Sequence, residues 1–280
     1  MTHHARLNVI MLATIIVALI FLYFKPYDEQ AQEYSISALS SDAVRNMRIV
    51  KQHDDIMLSK TSGHWHIVQP IQARADEKRI SEMMQFHGAK ARQRFPLENL
   101  ERFGLDRPYV KLYLDDHYFG FGSYVPITNQ QYVANDEYVY VISPRYGLVF
   151  PADAMDLVSR QLLEPEEIPV KFESDQFVVE FQQPRWHVKS QRSGQPPDEQ
   201  VLKQWVTSWH TARTEKILLA SGMEAGFVDL GRINISLLNN ENIALNILHS
   251  ADQIVFVRLN EKIGYAFPQE VGQRLLTPWP

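Results

Sequence analysis

Two histidines that flank a tryptophan are the first candidates for chemistry. His64 and His66 lie two residues apart around Trp65, and in an extended strand this spacing places both imidazoles on one face. Two neighbouring imidazoles can share a metal ion when further ligands complete the site. The preceding strand of the same hairpin offers such ligands in His53, Asp54 and Asp55.

A structural role for these histidines is the alternative. The Trp-His pair recurs as Trp186-His187, whereas the position of His64 is taken by Arg185. A metal site needs its ligands at fixed positions, so the loss of one in the second occurrence favours a structural strand. We therefore predict no metal site and no cofactor.

The acidic residues give a similar choice. Asp115 and Asp116, next to His117, could act as acid and base, but they lie between two strand-like segments, where Asp favours turns. Asp76 and Asp198 each precede an apolar periodic segment and suit helix N-caps better than a catalytic pair.

Composition narrows the classes of function. The chain has 280 residues, no cysteine and a net charge of −5 with interspersed acids and bases. This excludes disulfides and thiolate chemistry, and it offers no basic patch for nucleic acid. No GxSxG, P-loop, HExxH or GxGxxG motif is present in a useful context. The sequence thus predicts a non-enzymatic protein, with a hydrolase as a remote alternative.

An apolar segment dominates the N-terminus. Residues Leu7 to Phe24 contain no charge and no proline, with Arg6 before the segment and Tyr23 and Lys25 at its far edge. At 1.5 Å per residue it would span about 27 Å, so it predicts a transmembrane anchor. A cleaved signal peptide is the alternative, but no small-residue cleavage pattern follows. The flanking charges predict a cytoplasmic N-terminus and a main domain on the other side of the membrane.

The remaining chain contains one unit twice. Trp65 recurs as Trp186, and the helix start at Asp76 recurs at Asp198. Both predicted helices place apolar residues at i, i+3, i+4 and i+7, with Trp205 and Trp209 in the second. The segments 146–151 and 263–268 align as closing strands, each followed by a short helix that ends in a leucine pair.

These repeats predict an α+β fold. After the transmembrane helix come two tandem antiparallel sheets, each with one packed helix and a short C-terminal helix. The predicted boundaries are 1–24 for the stub and anchor, 25–33 for a tether, 34–163 for the first repeat, 164–169 for a linker and 170–280 for the second repeat.

Several landmarks resemble a known family. Trp65 to Pro70, the segment Ala73 to Asp76, the turn Gly104-Leu105-Asp106-Arg107-Pro108 and Gly122 after the next strand resemble the bacterial domain of unknown function 4340. The resemblance is strongest over about 46–163 and reaches 170–280 through the repeat. It implies a membrane-anchored protein that faces the periplasm, in some members beside gliding-type ABC transporter components, and it implies no catalytic residues.

Outward-facing tyrosines on the predicted strands indicate a surface that binds a partner. Alternate residues of a half-covered sheet must face outward, and exposed tyrosines are typical of interfaces. The residues in question are Tyr109, Tyr113, Tyr118, Tyr124 and Tyr132. The sequence therefore predicts an accessory or scaffold subunit of a membrane complex that binds integral membrane or periplasmic proteins. The alternative is a module that binds an envelope polymer or lipid for an ABC-type transporter.

Overall fold

The computed structural model describes residues 3–24, 32–52, 54–190, 195–223 and 226–279, with the side chains of the first range described from 10 to 21. It contains five α-helices: α1 His3–Phe24, α2 Glu77–Met84, α3 Arg145–Leu148, α4 Glu199–Thr211 and α5 Gln269–Leu276. Short 3-10 helices cover Gln85–Gly88, Leu100–Phe103, Ala154–Leu157 and Ala220–Gly222.

Nineteen strands are the commonest secondary structure of the described chain. The first eleven are β1 Tyr34–Ser35, β2 Asn46–Lys51, β3 Asp54–Thr61, β4 His64–Gln69, β5 Ala73–Arg74, β6 Lys90–Ala91, β7 Arg94–Pro96, β8 Val110–Leu114, β9 His117–Val125, β10 Gln130–Ala134 and β11 Tyr138–Ile142. The others are β12 Pro169–Ser174, β13 Phe177–Gln182, β14 Arg185–Ser190, β15 Lys216–Leu219, β16 Val228–Leu237, β17 Asn242–His249, β18 Gln253–Arg258 and β19 Ile263–Pro268.

The two large sheets share one strand order. The first runs β5-β4-β3-β2-β8-β9-β10-β11-β7, and the second runs β14-β13-β12-β16-β17-β18-β19-β15. Each strand of the second sheet therefore has a counterpart in the first, and β5 alone has none. All described pairings in both sheets are antiparallel.

A helix covers one face of each sheet. The carboxylate of Asp76 accepts hydrogen bonds from the backbone amides of Lys78 and Arg79 in α2, and that of Asp198 accepts one from the Val201 amide in α4. The apolar stripe of α4 places Trp205 and Trp209 against the sheet, where Trp209 is fully buried against Phe172 and Phe256. Trp65 of β4 is also buried, whereas Trp186 of β14 is only partly covered.

A 3-10 segment covers part of the opposite face in each unit. In the first unit, Phe103 and Leu105 pack on Ala134 and Val139. In the second, Met223 packs on Val255, Val257 and Ala266. Both sheets are thus covered on two sides, which explains why strands β11, β18 and β19 consist almost wholly of buried residues.

The prediction of an α+β fold with a transmembrane helix and two sheets is wrong. The fold is rich in strands and has a third sheet, in which β1 pairs with β6. Among the described residues, no helix is long and apolar enough to cross a membrane. The side chains of Arg6, Leu7, Tyr23 and Phe24, and all of Lys25, lie outside the described residues.

The predicted alignment of the closing segments is also wrong. Residues 263–268 form β19, whose counterpart in strand order is β11, whereas residues 145–148 form the helix α3. Nor does the first unit end in a helix with a leucine pair, because Leu162 and Leu163 follow a 3-10 turn and lie in the core. The matching Gly and Phe-Pro residues of the two segments misled the alignment, since they occur in different elements.

A close backbone approach holds the 3-10 segment on the first sheet. A Cβ atom at Gly122 would overlap the carbonyl oxygen of Phe103 and would lie 2.8 Å from the Leu105 Cγ atom. Gly104 ends the 3-10 helix with a φ of 63°, a conformation that suits glycine. We predict that Gly122→Ala lowers the free energy of unfolding by about 2 kcal/mol, measured by denaturant titration.

Gly222→Ala is the matched control, because a Cβ atom there meets nothing within 4 Å. Equal stability of the two variants would contradict the proposed close approach.

Candidate functional site

A pocket of about 540 Å³ opens beside this glycine contact. We call it the Tyr124 pocket, lined among others by Gly104, Arg107, Tyr109, Tyr124, Gln131 and Leu148. The turn 104–108 forms one wall, the ends of β9 and β10 form the floor, and the start of α3 forms the opposite wall. Three elements that are distant in sequence therefore meet at this site.

The floor of the pocket is fixed by a hydrogen bond and by close packing. Gln131 is buried, and its amide nitrogen donates to the Gly122 carbonyl over 3.1 Å. Gly147 packs so closely on Tyr109 and Gln131 that a Cβ atom there would overlap both. Burial raises the pKa of Tyr109, so its phenol is neutral at physiological pH.

The rim of the pocket is apolar and open to solvent. Tyr124 is 49% exposed and its hydroxyl donates to Asn129 over 2.6 Å, which ties the rim to the β9–β10 hairpin. Leu148, which lines the pocket, is 80% exposed. Ile127 does not line the pocket, but it lies on the hairpin between the lining residues Tyr124 and Asn129 and is 96% exposed. Large apolar side chains that are so exposed beside a pocket are typical of interaction surfaces.

The five predicted tyrosines do not form one surface. Tyr109 and Tyr124 line the pocket, whereas Tyr113 and Tyr118 pack on each other with ring centroids 5.4 Å apart. Tyr132 packs on Phe103 beneath the 3-10 segment. Alternate residues of a strand point to the same side, so the sequence pattern predicts the five tyrosines on one face of the sheet. The 3-10 segment that packs on this face separates them into different surroundings.

The histidine pair lies at the surface of β4. The Nδ1 atom of His66 is 3.1 Å from the His64 carbonyl oxygen, and the Nδ1 atom of His64 is 3.4 Å from a Glu166 carboxylate oxygen. In the described part of the chain no group of three or more potential ligands is placed to hold a metal ion. His53 lies outside the described residues.

The other acidic candidates have local partners. Asp115 has a φ of 49° in the β8–β9 turn, and its carboxylate accepts hydrogen bonds from the backbone amides of Arg45 and Asn46. It thereby ties the entry of β2 to this turn. The cap residue Asp76 also lies 3.4 Å from the Arg213 guanidinium of the second unit.

A buried group of charges joins the two units, and sequence reasoning missed it. We call it the junction network: Arg74, Glu164, Glu167, Arg258, Glu261 and Tyr265. Arg74 of β5 lies 2.6 Å from a Glu261 oxygen and 3.1 Å from a Glu167 oxygen, and it donates to the Tyr265 hydroxyl over 2.6 Å. Arg258 of β18 forms two hydrogen bonds, of 2.8 and 2.9 Å, with the Glu167 carboxylate.

The pKa values of the two linker carboxylates, Glu164 and Glu167, are shifted in opposite directions from the ordinary value. Burial would raise the pKa of Glu167, but hydrogen bonds and attraction from Arg258, with Arg74, hold it below its ordinary value. Burial raises the pKa of Glu164 against the attraction of Arg74, whose nearest nitrogen is 3.3 Å away. The difference follows from geometry, because only Glu167 is paired with both arginines.

Only part of this arrangement had a signal in the sequence. The acidic linker stood out, but it was interpreted as a boundary, because nothing local shows that Arg74 and Arg258 reach it from about 90 residues on either side. Gln131 and Gly147 had no signal, since each is a common residue type whose contact partner is distant in sequence.

We predict that Glu167→Gln lowers the free energy of unfolding at neutral pH by about 3 kcal/mol, because it leaves two buried guanidinium groups short of charge. The stability that comes from Glu167 is present above the unfolded pKa of about 4.5. It is lost as the pH falls through the lower folded pKa. The variant should therefore lose less stability on acidification, as measured by urea unfolding at several pH values.

Glu164→Gln is the matched control from the same linker. Because the fold raises the pKa of Glu164, its ionisation opposes folding, and we expect the amide to change stability little at neutral pH. An equal loss in both variants would refute the division of roles between these carboxylates.

Comparison with known proteins gives one match. No curated protein and no solved structure matches this chain. A family model matches residues 65–221, which run from Trp65 in β4 across the linker into the second unit. This range covers more than half of the 280 residues and includes the turn and the glycines of the Tyr124 pocket. The chain belongs to the family described as domain of unknown function (DUF4340).

Proposed function

We propose that this protein is a non-enzymatic accessory subunit of a membrane protein complex and binds a protein partner at the Tyr124 pocket. The observation that carries the proposal is the exposed apolar rim of that pocket. Ile127 and Leu148 leave 96% and 80% of their surface in water beside the two tyrosines. Covering such side chains is the main favourable contribution to protein association.

The polar groups of the pocket favour a protein over a polysaccharide. A sugar needs several hydrogen-bond donors and acceptors that are free to face it. Here the Gln131 amide nitrogen and the Tyr124 hydroxyl already donate to Gly122 and Asn129 of the same chain. What remains is a mostly apolar cavity with Arg107 at its edge, which suits an apolar side chain of a partner.

A partner in a membrane complex is supported by α1. The nine large apolar side chains from Ile10 to Phe21 are between 48% and 73% exposed. A helix so uniformly apolar is stable only next to an apolar phase or an apolar partner. We propose a location at the periplasmic face of the bacterial inner membrane, among integral membrane or periplasmic proteins.

The partner is tested by photocrosslinking in cells at native expression level. A photoreactive amino acid replaces Ile127 or Leu148, and the crosslinked products are identified by mass spectrometry. We expect one defined protein partner, lost when Tyr124→Ala is added. Crosslinks to glycan or lipid alone would indicate that the pocket binds an envelope polymer or lipid and not a protein. No crosslink at either position would refute the pocket as a binding site.

A matched control position is Lys90, which is exposed on β6 and lies outside the pocket. The same photoreactive residue there should give no adduct with the partner. An equal adduct from Lys90 would show that the partner is only close by and not bound at the Tyr124 pocket.

The location is tested separately by adding protease to intact spheroplasts. We expect the folded units to be cleaved without permeabilisation, because they face the periplasm. Cleavage only after detergent would contradict the periplasmic part of the proposal and leave the pocket untouched.

A further inference from the structure

We propose that β14 is an open sheet edge that accepts an extended, acidic segment of a partner protein as an added strand. In the first unit, the counterpart strand β4 is covered by β5, with His66 opposite Arg74 and Ile67 opposite Ala73. In the second unit, no described strand pairs with the outer edge of β14. One unit thus shows what occupies this edge, and the other leaves the place open.

The sequence explains why the described residues before α4 do not pair with this edge. In the first unit, the Ala75 amide, directly before the cap Asp76, donates to the Trp65 carbonyl over 2.9 Å. In the second unit, Pro196 and Pro197 stand directly before the cap Asp198. Proline has no amide hydrogen, so this connector cannot form the hydrogen bond that Ala75 makes in the first.

The strand itself is regular enough to pair. Its six residues pair with β13 without a register shift, and β14 contains no proline and no glycine. β4, by contrast, has an irregularity against β3. An edge of this length offers a row of backbone donors and acceptors, which is the requirement for strand addition.

The side chains select the occupant. Arg185, His187 and Lys189 are exposed on one face, with the Arg185 guanidinium 3.5 Å from the Glu199 carboxylate of α4, which leaves Lys189 as the main cation for a partner. Trp186 and Val188 on the other face are partly buried in the core. Opposite charges on facing strands are favourable and like charges are unfavourable. Two copies of β14 would pair basic residues with basic residues, so a second copy of this chain is disfavoured. An incoming strand with acidic residues on one face and apolar residues on the other fits both rows.

This edge is separate from the Tyr124 pocket, so the two proposals fail independently. The probe is a fluorescent seven-residue peptide of alternating glutamate and valine, titrated with the full chain and followed by anisotropy. We expect saturable binding, and weaker binding of a lysine–valine peptide. The same acidic peptide with N-methyl groups on alternate amides should not bind, because it keeps the side chains but loses the backbone donors.

Variants of the protein locate the site. Lys189→Glu should weaken binding of the acidic peptide about three- to tenfold. Lys90→Glu makes the same charge change on β6 and should leave binding unchanged, as should Leu148→Asp in the Tyr124 pocket. Equal binding of the N-methylated peptide, or an equal loss with Lys90→Glu, would overturn the proposal.

Discussion

The structure depends on the guanidinium group of Arg74, because one buried cation joins three parts of the chain. It lies in β5 of the first unit, contacts the linker at Glu167 and reaches Glu261 and Tyr265 of the second unit. A charge in that position is tolerable only if all its partners stay in place. The two sheets therefore keep one relative arrangement, and the linker serves as part of the core of the molecule.

That arrangement gives the two copies of the unit different surfaces. β5 carries Arg74 to the junction and at the same time covers the edge of the first sheet. In the second copy, Pro196 and Pro197 stand before the cap Asp198, and no described strand lies on the outer side of β14. The first copy instead has the hairpin around Ile127 and the helix α3, which form the rim of the Tyr124 pocket. Each copy thus presents a different candidate surface: the first copy has a pocket, and the second has a strand edge.

Periodicity in the sequence identified the local elements, including the helices that begin after Asp76 and Asp198. It could not identify the third sheet, because β1 and β6 are two residues each and carry no repeating pattern. The closing strands were misaligned because a Gly and a Phe-Pro pair recur in different elements. The tyrosines were placed on strands, but only the packed 3-10 segment decides which of them reach solvent.

The length of the edge strands limits what pairing at β14 can build. A strand added there completes the second sheet, but its continuation into a fibre would need another long, free edge on the same molecule. The other described edge strands are β5, β7 and β15 of the large sheets, with two, three and four residues, and β1 and β6 of the small sheet, with two residues each. Addition therefore stops after one partner, and the protein can expose an adhesive strand without becoming a subunit of a polymer.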